Sequence, residues 1–214
     1  MPVIEVQQQS IDWLQMRIGM VTASRVGDVV GRNKPKKGQD IGEYSKARYN
    51  YLLEVVAERL TGLSATRFVT PWMEEGNEQE PYARAAYELT QEDEVLPGAF
   101  AIHPQNKWFG ASVDARVGDK KGAEFKCLKA ENHIEIIRDG VIPLDRQPQL
   151  LAEMACYELE SIDFVSYCGR MPKPLQLFVR TMHRDDKLIA MMESEVWSFL
   201  EEVAAMLLKL GEKA

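Results

Sequence analysis

Asp114, Glu124 and Lys126 have the residue types and order that phosphodiester chemistry calls for. Their surroundings read as two short strands, 108–113 and 123–128, joined by a polar, glycine-bearing stretch over 114–122. Side chains alternate along a strand, so Glu124 and Lys126 share one face while Ala123, Phe125 and Cys127 take the other. Asp114, at the end of the preceding strand, comes within reach of that pair. Two carboxylates are hard oxygen ligands that hold Mg²⁺ while leaving positions open for water and phosphate. An ammonium beside them orients or helps deprotonate the attacking water and offsets charge in the transition state. Spacing alone also fits a solvated cross-strand face, because charged alternation is ordinary on an antiparallel sheet.

The elements that must position this trio follow from periodicity and punctuation. Ser10 is a plausible N-cap for a first short helix with its apolar stripe at Ile11, Leu14 and Ile18, broken by Gly19. Thr22 caps a second, expected over 23–30 and ended by Gly31. Arg17 and Ser24 fall here, and a guanidinium with a hydroxyl at a helix start suits an anion; each also fits an ordinary surface or first-turn residue. A long helix is expected over 41–60, stopped by Thr61 and Gly62, then an irregular connection over 64–70. The next helix, 76–90, carries several acids, and spacing does not choose Glu80 over Glu78.

Pro97 and Gly98 make a turn into a strand over 99–103, whose terminal His103 reads as a structural residue. Helices over 131–139 and 147–159, strands over 164–169 and 175–182, and a closing helix over 184–210 complete the chain. This order suits a single α/β domain, 1–214, with three layers and a mixed central sheet flanked by helices.

Composition bounds the setting. The chain has 214 residues and 45% hydrophobic content, enough for one domain with a substantial core. No run of about 18 apolar residues marks a membrane span, and MPVIEVQQQ lacks the regions of a signal peptide. Cys127, Cys156 and Cys168 have neither disulfide nor zinc spacing, so a reducing, cytoplasmic setting is expected. The net charge of −7 is awkward for a DNA-handling protein, yet binding needs a basic surface only where the backbone passes. The basic cluster Arg32, Lys34, Lys36 and Lys37 sits in a glycine-flanked, proline-bearing segment that reads as a mobile loop, either solvated or touching duplex phosphates.

Four stretches in order carry a resemblance. WLQMRIGMVTAS (13–24), GNEQEPYARAAYE (76–88), GASVDARV followed by GAEFKC (110–117 and 122–127) and RQPQLLAEM (146–154) are similar to the successive motifs of the phage lambda-type exonucleases. These form the YqaJ-like viral recombinase family within the PD-(D/E)XK nuclease superfamily. The resemblance implies a Mg²⁺-dependent enzyme, with Mn²⁺ as the alternative ion, that digests double-stranded DNA from 5′ to 3′, releases mononucleotides and leaves a 3′ single strand. It implies a ring-shaped homotrimer working with a single-strand annealing protein in phage recombination. Carried over by motif, Asp114, Glu124 and the Phe125 backbone carbonyl ligate the metal. Lys126 with Gln149 positions the water, Glu80 supports the metal indirectly, and Arg17 and Ser24 hold the terminal 5′-phosphate. Relatives with an extra acid on the strand before the hairpin have no counterpart over 102–107. A structure-specific or restriction-type endonuclease of the same superfamily, and a non-catalytic DNA-binding recombination adaptor, stand as the alternatives.

Overall fold

The computed structural model describes residues 3–65 and 71–211, with backbone alone over 71–77. In chain order the elements are β1 (Val3–Ile4), α1 (Ile11–Met16), β2 (Val21–Thr22), α2 (Val26–Val30), α3 (Lys46–Thr61), α4 (Pro71–Glu88), β3 (Val95–Pro97), β4 (Phe100–His103), β5 (Asn106–Ala111), β6 (Ala115–Val117), β7 (Lys121–Cys127), α5 (Ala130–Asp139), α6 (Gln147–Tyr157), β8 (Ser161–Tyr167), β9 (Leu177–His183) and α7 (Asp186–Lys209). Short 3-10 turns occupy Ala23–Arg25 and Lys173–Leu175. Local chemistry sets several boundaries. The Ser10 hydroxyl accepts from the Trp13 amide to start α1, and the Asp185 carboxylate accepts from the Lys187 and Leu188 amides to start α7. Gly62 and Gly140 close α3 and α5 in the left-handed conformation, with φ of 68° and 67°. Among the described residues no helix is long and apolar enough to cross a membrane.

The expected mixed central sheet resolves into two mixed sheets. One has the order β1-β4-β5-β2 and the other β3-β6-β7-β8-β9. Each contains one parallel pair, β2 with β5 and β7 with β8, among antiparallel neighbours. The strand expected over 108–113 is therefore not the partner of the one expected over 123–128. The polar stretch between them contains β6, which turns back through Gly118 (φ 55°) to pair with β7. The chain leaves the first sheet after Ala111 and enters the second at Ala115, so 112–114 form a junction. Gly98 crosses that junction so closely that a Cβ there would lie 1.7 Å from the Val113 carbonyl oxygen, and its amide donates to the Asp114 carbonyl at 3.1 Å.

Register places the faces of the second sheet. Ala123 and Phe125 of β7 and Val165 of β8 pack with Tyr87 of α4, while Ile162 and Phe164 of β8 pack in the larger core that contains Leu150 and Met154 of α6. Glu124 pairs with Phe164, so it faces the α6 layer. Alternation thus separates the strand faces as expected, but both are covered: Glu124 is 4% exposed, not solvated.

Other boundaries differ from expectation for visible reasons. The expected 23–30 helix is a 3-10 turn followed by the five-residue α2, and the Thr22 side chain caps neither. The helix expected from 41 starts at Lys46, because Tyr44 bridges to Arg32 and the Ser45 amide donates to the Gly31 carbonyl, tying 44–45 to the segment after α2. α4 starts at Pro71 and not at 76, and β3 forms where only a turn was read. Part of the connection expected over 64–70, and the side chains of Glu74 and Glu75, lie outside the described residues.

Candidate active site

A cavity of about 320 Å³ opens where the two sheets meet. Asp114, Glu124, Phe125, Lys126, Glu80 and Gln149 all line it, and so do Arg17 and Ser24. Each reaches it from a different element. Asp114 stands in the junction just before β6, and its carboxylate accepts from the Phe125 amide at 2.7 Å. That amide has lost a ladder partner because β6 has ended, so the break in the sheet aims the carboxylate at the site. Glu124 and Lys126 project from β7 toward α6, and the Lys126 ammonium donates to Glu124 Oε1 at 2.6 Å. Glu80 comes from α4, in the opposite layer.

The Gln149 amide, from the first turns of α6, does not touch Lys126 through any hydrogen bond in this arrangement. It donates through Nε2 to the same Glu124 Oε1 at 2.6 Å and to Glu153 Oε1 at 2.8 Å. Gln147 points away and donates to the Ile142 carbonyl at 3.4 Å.

The electrostatics are those of crowded, buried carboxylates. Burial, then the charges of Glu124 and Glu80, push the Asp114 carboxyl well above the usual range, against the pull of Lys126 and the Phe125 amide. Burial and then Glu124 raise Glu80, with Arg84 and Lys126 opposing. Burial works against the Lys126 ammonium, but Glu124 and Asp114 outweigh it and hold its pKa above the ordinary value. Lys126 is thus a charged donor in this arrangement, suited to orienting a water or a phosphate oxygen.

Whether the donor set fits a divalent ion turns on that imbalance. Two carboxylates and a backbone carbonyl, from β7 and the junction before β6, with a third acid across the cavity, give hard oxygen donors in an environment short of positive charge. Among the described residues, no three His, Cys, Asp or Glu side chains are gathered into a ready-made cage. The set fits an open site whose remaining positions go to water and phosphate, and Asp114, Glu124 and the Phe125 carbonyl could hold such an ion.

At the other end of the cavity, the Arg17 guanidinium lies 3.8 Å over the Trp13 ring and donates to the Ser24 hydroxyl at 3.4 Å. Trp13 is itself fixed, its indole N–H donating to the Ser112 hydroxyl at 2.8 Å. The cation and hydroxyl therefore stand side by side at the cavity wall, an arrangement that suits a phosphate.

The basic cluster is elsewhere. Arg32, Lys34, Lys36 and Lys37 do not line the cavity. Arg32 donates to Glu195 of α7 at 2.7 Å, lies 4.0 Å over the Tyr44 ring and bridges to Tyr44 through its backbone. Lys36 pairs with Glu43 at 2.9 Å, and Lys34 and Lys37 are exposed. His103 is structural, buried against Phe109 and Trp197 with Nε2 2.9 Å from Glu193.

Two contributors were not singled out from sequence. Arg84, one turn after Glu80, donates through Nη2 to the Asp114 carbonyl and offsets Glu80. Glu153 is fully buried, and burial followed by Glu124 drives its carboxyl well above the usual range. The signal for Glu153 was available: a lone acid inside an apolar run, four positions after Gln149.

Comparison with known proteins agrees with this geometry. Residues 12–160 match the YqaJ-like viral recombinase domain family. The alkaline exonuclease LHK-Exo from Laribacter hongkongensis is 37% identical, with 94% of this chain and 96% of that chain covered at a TM-score of 0.83. The same protein solved in complex with dAMP superposes at 0.84. A phage related exonuclease from Haemophilus somnus 129PT shares the fold at 16% identity and a TM-score of 0.65, covering 89% of this chain and 96% of that one. No curated protein matches the chain.

Proposed function

The chain belongs to the YqaJ-like viral recombinase family of DNA-hydrolysing nucleases, and from that premise we propose that this phage-type exonuclease is a Mg²⁺-dependent enzyme. It digests duplex DNA from 5′-phosphorylated ends, releases mononucleotides and leaves a 3′ strand. The observation that carries the reading is the single cavity shared by the Asp114, Glu124 and Lys126 trio and the Arg17 and Ser24 pair. The relative's complex with dAMP supports a mononucleotide product.

Asp114, Glu124 and the Phe125 carbonyl would hold the ion, and Mn²⁺ would fit the same oxygen donors. When bound, the ion supplies a water of lowered pKa and offsets phosphate charge. The Lys126 ammonium donates to that water or to a phosphate oxygen. Gln149 steadies Glu124, and Glu80 supports the far side of the cavity through water. Arg17 and Ser24 bind the terminal phosphate, which fixes polarity and sets the scissile bond against the trio. The family resemblance extends the reading to a homotrimeric ring, an annealing-protein partner and a host cytoplasmic location.

End-labelled linear duplexes with and without a 5′-phosphate, digested beside a covalently closed circle, test this. Phosphorylated linear DNA should yield labelled mononucleotide and the circle should survive. Cleavage of the circle would favour the endonuclease alternative, and no cleavage of any form would favour the adaptor. Arg17→Ala should slow digestion of phosphorylated ends by about tenfold or more and narrow the difference between the two end types, since it removes a charge-assisted contact. An unchanged preference would remove the assigned role.

The basic cluster yields a second expectation. Neutralising Lys34 and Lys37 together should lower duplex affinity and reduce the salt slope by about one to two, as expected when one or two phosphate contacts are lost. Arg32→Ala should instead act on stability, through its contacts with Glu195 and Tyr44. Binding isotherms over a range of salt concentrations distinguish these outcomes, and an unchanged slope would leave the cluster as solvated surface.

A further inference from the structure

Glu153 lies on α6 in a run where every residue from Leu150 to Cys156 is buried, and its own exposure is 0%. An apolar side chain would sit there without desolvation cost, whereas this carboxyl leaves Oε2 buried with no hydrogen-bond partner. Its other oxygen has a specific occupation. Oε1 accepts from Gln149 Nε2 at 2.8 Å, while the same nitrogen donates to Glu124 Oε1 at 2.6 Å. An amide has two N–H bonds on one side and only an acceptor on the other. With two carboxyl oxygens converging on it, the NH₂ end must face Glu124 and Glu153, which leaves the amide Oε1 as the end that Gln149 can offer to a water in the cavity.

We propose that Glu153 is a positioning residue that locks the orientation of the Gln149 amide, and through it the placement of Glu124. The inference rests on the exonuclease reading for the reaction it affects, but not for the contact itself. Glu153 Oε1 accepts from the amide whether or not Oε2 carries a proton, so the lock does not depend on a titration. Without an acceptor at 153, the amide keeps only Glu124 as a partner and is free to rotate, and Glu124 is held less firmly. Partners behind a site's direct ligands typically change activity or metal affinity by about 10- to 100-fold when removed.

The test compares Glu153→Met, which keeps an unbranched side chain but has no acceptor of this kind, with Glu153→Gln, which retains an oxygen at Oε1, alongside Gln149→Ala and the double variant Gln149→Ala with Glu153→Met. Glu153→Met should lower kcat by about 10- to 100-fold with KM for DNA ends little changed, and Glu153→Gln should recover most of the rate. The double variant should be no slower than Gln149→Ala alone, because two residues acting through one contact are not additive. In metal-free protein, the Gln149 side-chain NH₂ signals, assigned by their loss in Gln149→Ala, should move in Glu153→Met and stay in Glu153→Gln. A folded Glu153→Met with wild-type kcat, or losses that multiply in the double variant, would overturn the proposal. So would a Glu153→Gln as slow as Gln149→Ala, which decides the matter even if Glu153→Met does not fold. If wild-type protein digests no DNA end, the exonuclease reading fails, and the amide signals still decide the role of Glu153.

Discussion

Lys126→Ala is expected to lower the rate of DNA digestion by about 10²- to 10³-fold, the scale set by removing one preorganised charged donor from a water-poor site. The ammonium is 2.6 Å from Glu124, and its charge is held by Glu124 and Asp114 against burial. Arg17 and Ser24, proposed to bind the terminal phosphate, stand at the other end of the cavity, so affinity for 5′-phosphorylated duplex ends should survive the substitution. Single-turnover digestion beside an equilibrium binding assay separates the two effects. A variant that digests at the wild-type rate would exclude Lys126 from the chemistry. One that loses binding in equal measure would make it a DNA-anchoring residue.

The second large effect combines a loss with a gain. Asp114→Asn should reduce digestion to the level seen after chelation of divalent ions, because one of the two carboxylates on the hairpin is gone. The same variant should be more stable than wild type in metal-free buffer at alkaline pH. The wild-type carboxyl is raised well above its ordinary value by burial and by Glu124 and Glu80, so its charged form opposes folding.

The sign follows from linkage. A carboxyl with a raised pKa in the folded state contributes stability that is fully present below the ordinary carboxylate range and is lost as pH rises through the raised value. The gap between variant and wild type should therefore widen upward through that window and close near pH 4. Each kcal/mol would appear as roughly 2–4 °C in a domain of this size. The same protons compete with a cation, so activity should fall and the Mg²⁺ requirement rise as pH drops through the raised values of Asp114 and Glu80. Thermal melts with and without Mg²⁺ over pH 4 to 9 check both halves. A destabilised Asp114→Asn in metal-free alkaline buffer would contradict the account of the crowded acids.

The shared placement of Glu124 and Lys126 was legible because strand alternation is strict: once 123–128 is read as a strand, the two must share a face. What could not be read was why Asp114 joins them. β6 is only three residues long and is embedded in a polar stretch, so the change of sheet at 112–114 left no periodic trace. The motif resemblance selected Glu80 over Glu78, a choice that helical spacing leaves open, and pointed to Gln149, and both residues line the cavity. The partners within the basic segment were not legible, because composition reports charge and not contacts. Arg32 is neutralised by Glu195, 163 positions away, a contact no local pattern encodes. Glu153 was overlooked for the opposite reason: it sits in a stretch read for its glutamines, and its significance comes from being buried.

The junction at Ser112, Val113 and Asp114 has a consequence for what the enzyme counts. Arg17 stands at the end of α1 and Ser24 in the turn after β2, beside the first sheet, whereas Glu124 and Lys126 ride on β7 of the second. On the proposed reading, the span between end anchor and cut is a ruler whose length is fixed by how two sheets are spliced. On that reading, side chains would decide whether a nucleotide leaves, and three residues of backbone would decide that it leaves one at a time.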